Sequence, residues 1–179
     1  MRVAFAAAIF IGSLAAPAIA QQFDLPAGWR YPSTKELSNE IRNNSQVRYA
    51  TAVADFNGDG IEDTALLLKS TTSNAEALWV RLSDKNAKFN WMKLHEIQWK
   101  SKSADMDLAM GIDVLPPGTH PYACFDEAKQ CNFGPLEGRF KLKLSDPSLV
   151  YFKLEGAASL FFWGKQQKHQ KFWRVWLTE

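Results

Sequence analysis

Residues that most often carry chemistry are scarce in this chain: two cysteines and three histidines stand among 179 residues. His95, His120 and His169 lie far apart, and no serine-protease, metalloprotease or P-loop signature surrounds them, so the sequence assigns no catalytic residue. Long apolar runs are also lacking. Beyond the first twenty residues, no stretch approaches the roughly 18 apolar residues that a membrane-spanning helix needs. Neither sign of charge prevails: the formal net charge is +2, which leaves no basic field for nucleic acid and no acidic excess for a polycation. Internal repeats of 20 to 50 residues are missing, which counts against a propeller of repeated blades.

What is present begins with an export signal. MRVAFAAAIFIGSLAAPAIA carries Arg2, an apolar run from Val3 to about Leu14, and Ala18-Ile19-Ala20 at its end. That order of basic, apolar and small residues predicts a signal peptide over 1–20, cleaved before Gln21, and a periplasmic or secreted protein. No cysteine stands at the new N-terminus, which argues against a lipid anchor. The remaining residues, 21–179, suffice for one domain and scarcely for two. Cys124 and Cys131, in PYACFDEAKQCNFG, are expected to form a disulfide in an oxidising compartment. Closing so short a loop contributes about 2 to 3 kcal/mol in the chain-entropy model. A redox site would more typically show C-x-x-C, and a zinc site would need ligands beyond His120.

Along the chain, residues 21–32 are irregular and carry Pro26, Gly28 and Pro32. A helix is predicted next. Ser33 precedes Glu36 by three in a capping-box pattern, Leu37 and Ile41 lie four apart on one face, and Asn43-Asn44 supply a stop. From residue 47 the period changes to that of strands. VRYATAVAD (47–55), DTALLLKS (63–70) and EALWVRLS (76–83) are rich in strand formers. FNWMKLHEIQW (89–99) alternates Phe89, Trp91, Lys93, His95 and Ile97 against Asn90, Met92, Leu94 and Glu96. MGIDVLPPGTHPYACF gives a strand, a break at Pro116-Pro117-Gly118, and a return. The C-terminal third adds RFKLKLS (139–145), SLVYFKLE (148–155), AASLFFW (157–163) and KFWRVWLTE (171–179). The expected fold is mainly β, of α+β type: an antiparallel sheet or small sandwich with one N-terminal helix, not a full propeller.

One stretch proposes a chemistry. In ADFNGDGIED (54–63), numbering from Asp55, oxygen-bearing side chains fall at positions one, three, five and nine: Asp55, Asn57, Asp59 and Asp63. Gly60 stands at position six, where the chain turns sharply, and Ile61 offers a backbone carbonyl at seven. Alternate residues of a curled loop can aim such oxygens at a hard cation such as Ca²⁺. An EF-hand would demand a glutamate at position twelve and flanking helices; position twelve is Leu66, and the flanks read as strands. The alternative is a plain turn built on Asn57-Gly58 and Asp59-Gly60. It leaves Asp55 and Asp63 unexplained and crowds three carboxylates that oppose one another's ionisation.

VADFNGDGIEDTALLL resembles the calcium-binding loop of FG-GAP and VCBS-type repeats, over about 16 residues. The resemblance implies side-chain ligation by Asp55, Asn57, Asp59 and Asp63 and carbonyl ligation by Ile61. Those families carry several copies and this chain carries one, so their propeller architecture is not implied. About five protein ligands without a bidentate glutamate imply modest affinity, with a dissociation constant near 10⁻⁴ to 10⁻³ M. At about 1 mM calcium and a constant near 10⁻⁴ M, binding stabilises by roughly 1.4 kcal/mol, a structural contribution.

Other features are plainer. The seven tryptophans lie mostly along strands and are expected in the core more than on a sugar or peptide platform; Trp173 and Trp176 fall on opposite faces. GKQQKHQK (164–171) reads as a solvated hairpin loop, with recognition of an anionic partner as the alternative. Glu155 is a lone carboxylate. The expected function is an exported, calcium-stabilised binding module whose partner is a protein or cell-wall component. The alternatives are an inhibitor or immunity-type protein against a cell-wall enzyme and, further off, a hydrolase with a dispersed site.

Overall fold

A computed structural model describes residues 24–100, 106–123, 141–164 and 171–177. The expected signal peptide and disulfide, and most of 164–171, lie outside the described residues. Over those residues the protein is mainly β, with two sheets that are antiparallel at every pairing and no propeller.

The first sheet contains β1 (Trp29–Arg30), β2 (Thr51–Ala54), β3 (Asp63–Ser70), β4 (Ala75–Ser83) and β5 (Phe89–Gln98). Its order is β1-β3-β4-β5, and β2 joins the β1 edge of β3 at the other end, through Thr51 opposite Leu66. The second contains β6 (Met110–Leu115), β7 (Gly118–Ala123), β8 (Lys141–Leu144), β9 (Ser148–Lys153), β10 (Ala158–Gly164) and β11 (Lys171–Leu177), in the order β6-β9-β10-β11-β7-β8.

β3 shows why the sheets pack. Its sequence DTALLLKS is apolar on both faces, and every residue but Ser70 is buried. Ala65 and Leu67, with Leu78 and Val80 of β4, enter one core with Ile112, Leu149, Tyr151 and Phe161 of the second sheet. On the opposite face Leu66 is paired with Trp79, whose ring lies edge-on to Trp29 at 5.8 Å and to Trp91 at 6.4 Å. Burying each such leucine contributes about 1.5 to 3 kcal/mol.

The expected N-terminal helix is not formed. The capping-box bonds are present, from the Glu36 amide to Ser33 Oγ at 3.3 Å and from the Ser33 amide back to Glu36 Oε2 at 2.7 Å, but only a turn follows. Asn39, at φ −55° and ψ 129°, breaks the chain into a short 3-10 helix over Glu40–Asn44. Two buried anchors explain the break: Glu36 is held by Arg30, and the Arg42 guanidinium is drawn inward to three carbonyls.

Two further corrections concern strands. The expected strand 47–55 begins only at Thr51, because Arg48 and Tyr49 adopt left-handed φ of 57° and 52°. In β5 a bulge between the Leu78 and Trp79 pairings leaves Leu94 extra, which reverses the side-chain alternation from His95 onward. The residues 89–97 therefore do not share one face as their spacing suggests.

Candidate functional site

The acidic loop connects β2 to β3, as a strand-to-strand connection and not a helix-loop-helix. Its shape follows from Asp55. The Asp55 carboxylate accepts the amides of Gly58 at 2.7 Å, Asp59 at 3.1 Å and Gly60 at 2.8 Å, which curls the chain around its first residue. Gly58 and Gly60 hold φ of 68° and 87°, a region that costs a side-chain-bearing residue about 1 kcal/mol. Asn57 Oδ1 accepts the Asp59 amide, Asn57 Nδ2 donates to Asp59 Oδ2 at 3.2 Å, and Asp59 Oδ1 accepts the Ile61 amide. Asp55, Asn57 and Asp59 are thus brought together.

Asp63 is placed differently. It is fully buried at the start of β3, where Oδ2 accepts the Phe56 amide at 3.0 Å and Oδ1 accepts the Ser83 amide at 2.9 Å. Burial pushes its carboxyl up to about 6 against the pull of those two amides, and Asp59 and Asp55 push in the same direction. Phe56, inside the loop, is also fully buried and belongs to the shared core. The loop is therefore pinned from below by one aromatic ring and one carboxylate, while Gly58, Asp59 and Gly60 stay exposed.

Among the described residues no three histidine, cysteine, aspartate or glutamate side chains lie close enough to hold a metal ion together. The donor chemistry of the loop nevertheless suits a hard cation. Its oxygens are carboxylate, amide and carbonyl; Asp55 Oδ1 is taken up by two amides, whereas Asp55 Oδ2, Asn57 Oδ1 and both Asp59 oxygens accept one hydrogen each and keep a second lone pair. Asp55, Asn57, Asp59 and the Ile61 carbonyl would hold such an ion, with Asp63 at the base of the loop.

A second polar group, not recognised in the sequence, lies between the sheets. Arg42 is fully buried and donates to the carbonyls of Arg48 at 2.7 Å and of Leu108 and Met110 at 2.6 Å each. Lys69 and Glu76 are cross-strand partners, and both are buried; Glu76 Oε2 accepts the Ala109 amide at 3.0 Å. Burial raises the Glu76 carboxyl, with the Ala109 amide and Lys69 opposing. Burial likewise lowers the Arg42 guanidinium, with Glu76 and Asp107 opposing. Further along, Tyr151 Oη and His95 Nδ1 are 3.3 Å apart, and Arg174 Nε donates to Ser159 Oγ at 3.1 Å. Burial, and then Arg174, hold the His95 imidazolium below its usual range. The only signal in the sequence for Lys69 and Glu76 was a charged residue near the end of one apolar strand and another near the start of the next.

The remaining candidates are accounted for by local structure. His120 Nε2 is 3.0 Å from the Pro116 carbonyl. Glu155 is exposed in the β9–β10 turn at φ 59°. Of the two C-terminal tryptophans, Trp176 is 39% exposed and Trp173 packs against the second core cluster. No helix among the described residues is long and apolar enough to cross a membrane. In comparisons with known proteins, no family model, no curated protein and no solved structure matches this chain.

Proposed function

We propose that this protein is an exported binding module whose 55–63 loop takes Ca²⁺ as a structural ion, the ligands being Asp55, Asn57, Asp59 and Ile61, with Asp63 supporting. The observation that carries this reading is the triple amide bonding to Asp55, which gathers the oxygens of three consecutive odd-numbered residues into one exposed turn. The ion's role is stability. Phe56 and Asp63 tie the loop to the core and to the end of β4, so an ion that fixes the loop also fixes the β2–β3–β4 junction. The partner is a protein or cell-wall component, and no residue is assigned to catalysis.

Adding about 1 mM Ca²⁺ to EDTA-treated protein should raise the melting temperature by a few degrees, the equivalent of roughly 1 kcal/mol. The Asp59→Ala variant should show no rise. A wild-type melt that does not respond to Ca²⁺ would sink the proposal.

A further inference from the structure

The edge of β5 carries an inference independent of the acidic loop. β5 is ten residues long, pairs with β4 on one side, and among the described residues has no strand on the other. Exposed strand edges of this length are templates for another strand, and bulges and lysines are the usual means of blunting them. β5 has both a bulge and Lys93, and the position of the bulge changes what they do.

The faces of β5 follow from its contacts. Trp91 and Lys93 lie on the outer face, where Trp91 meets the ring of Trp79 and Lys93 Nζ is 5.7 Å from that ring's centre. Glu96 joins them, pairing with Lys93 at 2.5 Å. Met92, opposite Val80, is on the inner face, as are Leu94 and Ile97, which pack on the shared core, and His95, which meets Tyr151. The order from 91 to 98 is therefore out, in, out, in, in, out, in, out. This pattern reads the same in both directions about the Leu94–His95 bond. The bulge that spoils simple alternation has made the strand symmetric.

We propose that two copies of this chain associate through β5, antiparallel, with the two-fold axis between Leu94 and His95. In that register Lys93 stands opposite Glu96 of the second copy and Glu96 opposite its Lys93. Met92 meets Ile97 on the inner side, and Trp91 meets Gln98 on the outer side. All four pairs, the central one being Leu94 with His95 of the second copy, keep outer residues with outer and inner with inner, as an antiparallel ladder requires. Backbone amides shift phase at a bulge as side chains do, so the groups directed away from β4 also match about this axis. A register slipped by one residue would oppose inner to outer positions, so the pairing is specified. The two first sheets become continuous, and the contact is isologous.

The test is sedimentation of the purified chain at about 100 µM, a concentration suited to a small interface. Wild type should sediment as a dimer. K93E places two glutamates opposite their copies and E96K places two lysines, so each variant alone should be monomeric. An equimolar mixture of the two should sediment as a heterodimer, which the loss of the intrachain pair cannot explain. At concentrations low enough for wild type to be monomeric, each variant should melt within about 2 °C of it, because exposed ion pairs contribute little. Should either fail to fold, the double variant K93E/E96K must dimerise as wild type does. A monomeric wild type, a dimeric single variant, or a mixture or double variant that stays monomeric overturns the proposal.

Discussion

Arg30 and Glu36 meet at two points: Nη1 lies 2.7 Å from Oε2, and Nη2 lies 2.8 Å from Oε1. This pair fastens β1 to the turn that stands where a helix was expected. The hydrogen bonds from Arg30, supported by Ser33, hold the Glu36 carboxyl at about 2, below its ordinary 4.5. A carboxyl depressed in the folded state adds stability above about pH 4.5 and loses it as pH falls toward about 2. The full shift corresponds to about 3 kcal/mol, and screening at the half-exposed Arg30 reduces this to about 1 to 2 kcal/mol. Glu36→Gln should therefore lower the melting temperature at pH 7 and flatten its fall between about pH 4.5 and pH 2, as read by calorimetry across that range.

Arg42 should be among the least replaceable residues. Its three carbonyl bonds join the 3-10 helix, the turn before β2 and the approach to β6. Arg42→Ala leaves buried carbonyls and Glu76 without that cation, at a cost of about 3 to 5 kcal/mol. Arg42→Lys, with one point of charge in place of a fork, should recover less than half of the loss in urea denaturation.

Phe56 tests whether the acidic loop is anchored from within. Truncation to alanine empties a fully buried aromatic site, which costs about 3 to 5 kcal/mol. The loss should be accompanied by a weaker Ca²⁺ response, measured as the shift in melting temperature. Phe56→Leu should keep most of both.

Gly111 is required by a close approach. It faces Phe152 across the β6–β9 ladder, and a Cβ placed there would come within about 2.5 Å of the Phe152 ring, which also packs edge-on against Tyr49 at 5.5 Å. Gly111→Ala should cost about 1 to 3 kcal/mol through overpacking. In the Phe152→Ala background the same substitution should cost nearly nothing, a coupling that a double-mutant cycle measures.

These residues also mark where the sequence was readable. Strands such as β3, β4 and β10 were legible because a short apolar run bounded by turn residues has few other uses in a domain of this size. The turn at 55–63 was legible because Asn57-Gly58 and Asp59-Gly60 are strong turn formers, and both glycines take up positive φ. The helix was misread because its cap is real: Ser33 and Glu36 form the expected bonds, yet Glu36 and Arg42 are committed to partners that a continuous helix would not reach. The inward turn of Asp63 depends on the Ser83 amide, twenty residues away, and no local pattern encodes it. The bulge in β5 likewise belongs to the pairing with β4 and leaves no mark in the alternation of β5 itself.

The burial of β3 has a kinetic consequence. It is covered on both faces and bonded along both edges, so its amide hydrogens should be among the last to exchange with solvent, close to the limit set by global unfolding. Asp63, the first residue of that slowest segment, is also the last residue of an exposed turn. A solvent-exposed turn and a strand protected to the limit of global unfolding therefore meet within a few bonds, and stiffening the turn should slow exchange first at the Asp63–Ser83 end of the β3–β4 ladder.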